Sequence, residues 1–395
     1  MIKGFDRVVE RSGGNAEKYA LRERLFGTQD VLPMWVADMD IETAPCVVEA
    51  VQKRAEHPIF GYEEMPESAF EAQMAWMKRR HGLALERDWL FFSPSVVASI
   101  NVAIQAFTEP GEKVIVQPPV YFPFFKSVEN NGRRVLSNPL KRLEAGDYTF
   151  DFDDLRSKID KETKLLLLCS PHNPVGRVWR EEELRTLAEI CLEHDITVFA
   201  DEIHSDLVYA PHRHTPFASL GDAIRDMTVT AIGPGKTFNV AGLAVSTVAI
   251  ADERRRERFR NVYESIHFAQ GTIFGHVGFE AAYREGEPWL EALLAHLGDN
   301  LDALEALVSR HDDKLRLRRP EGTYLAWLDC SPMALGGRAL RKFFIEEAKL
   351  GLSPGVGFSK EGQGYMRMNI AVPGPVMEEA LRRLEKALDA LGASS

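Results

Sequence analysis

Apolar residues along this chain fall into two kinds of run, and the change between them divides it. From residue 89 to 250, short continuous apolar runs recur: Trp89-Leu-Phe-Phe92, Lys113-Val-Ile-Val116, Lys164-Leu-Leu-Leu-Leu-Cys169, Ile196-Thr-Val-Phe-Ala200, Met227-Thr-Val-Thr-Ala-Ile232 and Leu243-Ala-Val-Ser-Thr-Val-Ala-Ile250. Between them, apolar residues recur at helical spacing, as in Val96, Val97, Ile100, Ala103, Ile104 and Phe107, and again across Glu181 to His194. Strands apolar on both faces, separated by amphipathic helices, predict an α/β fold with a mostly parallel sheet covered on both sides. After about residue 285 the pattern turns to alternation: Leu315 to Arg319, Thr323 to Leu328 and Tyr365 to Ile370 read as half-exposed antiparallel strands, flanked by helices such as Met377 to Leu391.

Ahead of the sheet, residues 1–44 are loop-rich and end in an ordered arm, Leu32-Pro-Met-Trp-Val-Ala-Asp-Met-Asp40. Pro45 opens one helix, and a longer one ends near Gly82. The expected division is a large domain over 45–285 and a smaller α+β domain built from 1–44 and 286–395.

Composition narrows the function classes. Of 395 residues, 45% are hydrophobic and 27% charged, ordinary for a globular protein. The net charge of −11 carries no basic stripe, so nucleic acid is not an expected partner. Arg254 to Arg256 are interleaved with Asp252, Glu253 and Glu257, as on a solvated helix face. Cys46, Cys169, Cys191 and Cys330 lack metal-type spacing and fit reduced thiols. No apolar run approaches the roughly 18 residues of a spanning helix, so no membrane partner is expected either. A cytoplasmic location is the expectation.

The polar residues of interest sit just after the strand ends, where open α/β sheets bind ligands. Lys236 lies in the turn Gly233-Pro-Gly-Lys236 between two core strands. It is either a surface-turn lysine or an amine whose desolvation makes it nucleophilic. Ser95 and the backbone of Val96 and Val97 form either an ordinary N-cap or an anion site. Asp201 ends a buried strand and needs a cationic partner, which a protonated ring nitrogen would supply. Tyr121 can stack on a flat ligand or simply pack, and Asn173 offers both donor and acceptor. Phosphate, ring, protonated nitrogen and aldehyde together describe pyridoxal 5′-phosphate. His204, His212 and His214 lack a clustered carboxylate or cysteine, so no metal is expected.

Three runs carry a family resemblance: Pro171-His-Asn-Pro-Val-Gly176, Asp201-Glu-Ile-His-Ser-Asp-Leu-Val-Tyr209 and Gly235-Lys-Thr-Phe-Asn-Val-Ala-Gly-Leu243. They resemble the fold-type I pyridoxal-phosphate enzymes of the class I/II aminotransferase superfamily. Ala37 to Asp40, Phe60-Gly-Tyr62, Ser93 to Val96, the Asp201-Glu-Ile-His204 variant and Thr323 to Asp329 resemble its carbon–sulfur β-lyase branch. The resemblance implies a seven-stranded-type sheet in the large domain and α,β-elimination of L-cysteine S-conjugates such as L-cystathionine. An aminotransferase, or a weakly catalytic binding protein retaining the fold, are the alternatives.

It also implies residue roles. Lys236 is the cofactor-bonding lysine and the acid/base at the substrate Cα, Tyr121 stacks on the ring as its catalytic companion, and Asp201 pairs with the ring nitrogen. Asn173 contacts the 3-hydroxyl side, and Ser95, Val96 and Val97 hold the phosphate. Tyr62 reaches that phosphate from a neighbouring subunit of a homodimer. Arg367 clamps the substrate carboxylate, and Asn173 and Tyr324 also face the amino-acid substrate. His204 stands where many aminotransferases place a tyrosine, and its role stays open. Gly233 and Gly235 replace hydroxyl residues common in relatives, which removes a side-chain donor to the phosphate. Ala244 replaces a frequent arginine.

Overall fold

A computed structural model describes residues 5–267 and 271–393. Seven strands form the main sheet: β1 (Leu90–Ser93), β2 (Lys113–Val116), β3 (Arg134–Ser137), β4 (Thr163–Cys169), β5 (Thr197–Asp201), β6 (Thr228–Ile232) and β7 (Ser246–Ile250). Their spatial order is β1-β7-β6-β5-β4-β2-β3. β7 runs antiparallel to both neighbours, and every other pairing is parallel. The continuous apolar runs have a direct cause. Leu166, Leu168, Val198 and Ala200 enter one core cluster, while Leu165, Leu167, Phe199 and Val229 enter another on the opposite face. The central strands β4, β5 and β6 are therefore buried on both sides and have no solvent face to keep polar.

The last apolar run is shorter as a strand than its sequence predicts. Residues Ala241–Leu243 form a 3₁₀ turn, Ala244 takes a left-handed φ of 51°, and pairing begins only at Ser246. The chain needs this turn to come back beside β6 after the Lys236 segment. The edge strand β3, half polar in sequence, is a further strand that the apolar pattern does not mark.

Four antiparallel strands make the second sheet: β8 (Arg316–Leu317), β9 (Leu325–Asp329), β10 (Ser353–Pro354) and β11 (Tyr365–Asn369), in the order β8-β9-β11-β10. The antiparallel pairing agrees with the alternation, but the expected exposure does not hold. β9 and β11 are buried along their whole length. Leu325, Leu328, Met366 and Met368 pack with Leu297, Leu301 and Leu384 from helices Glu287–Arg310 and Gly374–Ala393, while Trp327 and Tyr365 join the other core cluster. The polar residues that produced the alternation, Arg367 and Asn369, are buried because they bond across to the N-terminal arm.

That arm is ordered by ion pairing. Lys18, fully buried, meets Asp40 at 2.8 Å and Asp38 at 3.6 Å, and Arg11 bonds both acids. Leu32–Pro33 adds a parallel pairing to Leu350–Gly351. The four cysteines are free thiols. Among the described residues no helix is long and apolar enough to cross a membrane.

Candidate active site

The C-terminal ends of β4, β5 and β6 open onto a cavity of about 450 Å³, closed on the far side by the arm and by β10 and β11. The register sets the arrangement. Asp201, the last residue of β5, lies between Cys169 of β4 and Ala231 of β6. The chain leaving β6 makes one helical turn, Pro234–Thr237, which carries Lys236. Three side-chain bonds hold this turn: Thr237 Oγ1 donates to the buried Asp206 at 2.9 Å, and Asn239 Nδ2 donates to Met39 O and Ile41 O of the arm.

Lys236 Nζ donates to the Ala37 carbonyl at 2.6 Å and has no carboxylate in hydrogen-bond contact. Burial and, secondarily, the nearby Arg367 push its pKa down to about 8. Asp201 is buried and accepts one backbone N–H, from Ile203 at 3.2 Å. Burial raises its pKa to about 7, against the smaller pull of that bond and of Lys236. Arg367, also buried, spends its guanidinium on neutral acceptors: Asn173 Oδ1 at 2.9 Å and Trp35 O at 2.7 Å, with Nε left without a partner. Burial lowers its pKa to about 10. Lysine, aspartate and arginine thus share one cavity, each lacking a direct ion pair.

Ser95, Val96, Val97, Tyr121, Asn173, Asp201, His204, Lys236 and Arg367 all line this cavity. Ser95 caps helix Val96–Phe107 by accepting the Ala98 N–H at 3.2 Å, and the first internal bond is that of Ser99 N–H to Ser95 O. The Val96 and Val97 N–H groups precede that bond and are available to an anion. Burial, then the charge of Asp201, raises the Tyr121 hydroxyl. His204 is held neutral by burial, its pKa lowered to about 3, and its Nδ1 has no partner.

Two sequence candidates lie elsewhere. Tyr62 is 92% exposed, on a segment that also exposes Ile59 and Phe60. Tyr324 is fully buried behind the wall, donating its hydroxyl to Ala37 O at 2.9 Å, the same carbonyl that holds Lys236. The cavity also uses residues that sequence reasoning did not select, among them Cys169, Ser246, Ser353 and Phe358. Phe358 lies 4.7 Å under the Arg367 guanidinium, and Ser353 precedes Pro354 on a strand of two residues, too short to leave a periodic signal.

The glycine at 233 has a steric cause. A Cβ there would meet Ser246 Cβ at 2.8 Å, whereas one at Gly235 would find nothing nearer than 3.7 Å. A serine at 233 would compete for the space of Ser246, which lines the cavity and donates to Ser93 O at 3.1 Å.

The sequence model for aminotransferase class I and II matches residues 29–384. The chain belongs to the aminotransferase class I and II family. Within the family it is 42% identical over 385 residues to cystathionine beta-lyase PatB of Bacillus subtilis, covering 97% of this chain and 99% of that one. Its fold matches cystalysin of Treponema denticola, whose crystal structure contains pyridoxal 5′-phosphate, with a TM-score of 0.95 at 34% identity over 99% of this chain and 100% of the other. The PLP-bound C-S lyase of Staphylococcus hominis matches with a TM-score of 0.89 at 33% identity, covering 97% and 98%. For this member of the aminotransferase class I and II family, the seven-stranded mostly parallel sheet positions Asp201 and the Lys236 turn, and the four-stranded sheet brings Arg367 to them.

Proposed function

We propose that this chain is a pyridoxal 5′-phosphate-dependent carbon–sulfur lyase acting on L-cysteine S-conjugates such as L-cystathionine. The observation that carries the reading is the pairing, in one cavity, of a lysine amine lowered to about 8 with a buried carboxylate raised to about 7, neither in direct contact with an opposite charge. Family membership and the names of the relatives support it.

The residues present fit the cofactor. Asp201 lacks the cation that would relieve its burial, and a protonated ring nitrogen is one. The N–H groups of Val96 and Val97 offer donors to a phosphate, Tyr121 offers a ring face, and Lys236 offers an amine to an aldehyde. When bound, pyridoxal 5′-phosphate supplies the aldehyde that captures the substrate amine and a ring that takes up electron density from Cα.

The chain's own residues do the rest. Arg367 takes the α-carboxylate through its unpartnered Nε, with Asn173 keeping the guanidinium plane in place. Lys236 removes the Cα proton; its lowered pKa keeps a useful neutral fraction near pH 7. Asp201 holds the ring-nitrogen proton while charge develops. The Cα–H and Cβ–S bonds break, the thiolate leaves from Cβ and takes up a proton, and water converts the remainder to pyruvate and ammonia. His204, a neutral imidazole lining the same cavity, would be available to the bound cofactor. Tyr62 reaches the phosphate of a second copy in a homodimer, a role supported by its exposure on an apolar segment. Tyr324 acts on the substrate side through Ala37. Residues 45–285 form the cofactor-binding domain, with 1–44 and 286–395 as the smaller one.

The test is pyruvate release from L-cystathionine by the cofactor-loaded protein with no keto acid added. Pyruvate at a steady rate supports the lyase. Turnover that appears only when a keto acid is supplied would make this chain a transaminase instead.

A further inference from the structure

Four residues with full charges line the cavity, and the chemistry above uses three of them. The fourth is Glu17. Unlike Lys236 and the buried Asp201 and Arg367, Glu17 is exposed, so it stands at the mouth. Its carboxylate makes no hydrogen bond or ion pair among the described residues. Its position is nonetheless set: the next residue, Lys18, is fully buried in its ion pairs with Asp40 and Asp38, and the Lys18 carbonyl accepts the Trp35 indole N–H at 3.0 Å. Trp35 is itself a wall of the cavity, and its own carbonyl holds Arg367. Glu17 is therefore tied to the frame that orients the substrate carboxylate.

The direction of a bound substrate follows from the groups already assigned. Arg367 takes the α-carboxylate and Lys236 serves the α-amine and Cα, which leaves the sulfur substituent to extend along the remaining wall. That wall is mainly apolar, including Trp35, Phe122, Pro354 and Phe358, and the exposed Glu17 lines the same cavity. A lone carboxylate at the mouth of a low-dielectric cleft attracts a cation and repels an anion. We infer that Glu17 selects the leaving group by charge, favouring cysteine S-conjugates whose sulfur substituent carries an ammonium over those whose substituent carries a carboxylate alone. The inference rests on the lyase reading and adds a substrate preference to it.

The test compares S-(2-aminoethyl)-L-cysteine with S-carboxymethyl-L-cysteine, using pyruvate release by the holoenzyme. Attraction and repulsion, each of the size of an exposed ion pair, combine to a preference of about tenfold in kcat/KM for the aminoethyl compound. Glu17→Gln brings the ratio to about twofold or less, and Glu17→Lys inverts it. A second readout needs no turnover: L-lysine and L-2-aminoadipate, the carbon isosteres that cannot lose a thiolate, are titrated calorimetrically into the holoenzyme. Wild type binds lysine more tightly, and Glu17→Gln removes the difference. Equal handling of the two charges by wild type, or equal losses on both compounds in Glu17→Gln, overturns the inference. Absence of pyruvate from every conjugate, with the lysine preference intact, would overturn the lyase reading and leave the charge selection standing.

Discussion

Two of the cavities among the described residues that are lined by both arginine and acid differ in how their charges are met. In the second, of about 320 Å³ between the sheets, Arg142 meets Asp329 at 2.7 Å, Arg177 meets Glu321 at 2.9 Å and Glu183 at 2.6 Å, and Arg318 meets Asp147. In the first, Lys236 rests on a carbonyl, Asp201 on one backbone N–H, and Arg367 on an amide and a carbonyl. Paired charges hold segments together. Unpaired buried charges keep perturbed proton affinities, which a catalytic site requires and a structural one avoids.

The sharpest way to break the contrast is to remove the amine. Lys236→Ala should lower elimination by about 10³-fold or more and abolish the borohydride-sensitive visible absorbance of the loaded protein. Next in size is a pH effect. With its pKa lowered to about 8, Lys236 should capture an added aromatic aldehyde in cofactor-free protein, under borohydride, at a rate that rises through pH 7 and levels above about 8. An ordinary lysine at pH 7 should be slower by about two orders of magnitude, because it stays protonated until above pH 10. A capture rate still climbing at pH 10 would deny the lowered pKa.

Arg367→Lys should raise KM by about tenfold or more with a smaller change in kcat, since a lysine cannot keep the Asn173 and Trp35 bonds and still present a fork to a carboxylate. The glycines sharpen the picture further. Gly233→Ser should weaken cofactor affinity by about tenfold through its clash with Ser246, while Gly235→Ser should stay within about threefold of wild type, both read by fluorescence titration. The smallest effect belongs to the other cavity: Arg318→Ala should change stability by about 0.5 kcal/mol or less and leave turnover at the wild-type rate, because its pair with Asp147 is solvent-facing.

Much of this was legible in the primary structure for a physical reason. Strands buried on both faces cannot hide their composition, and the residues that follow them inherit a known place at the sheet's ligand-binding end. Lys236, Asp201 and Asn173 could be picked out on that ground. Arg367 and Asn369 misled on exposure because a polar residue on a strand looks the same whether water or a buried carbonyl receives it. Ser353 and Phe358 were missed because they lie in a short strand and a turn with no period to read. Tyr324 sits behind the wall instead of on it, since its hydroxyl reaches Ala37 from the buried side.

By itself the sequence determined the class of sheet, the order of the site residues along the chain and the family to which they belong, since periodicity and local spacing are properties of the chain alone. Only the tertiary structure decided which charges are paired and which stand unopposed, that Ser246 occupies the room of a side chain at 233, and that Glu17 lines the cavity. Those facts depend on contacts between residues tens to hundreds of positions apart, and no local pattern encodes such a distance.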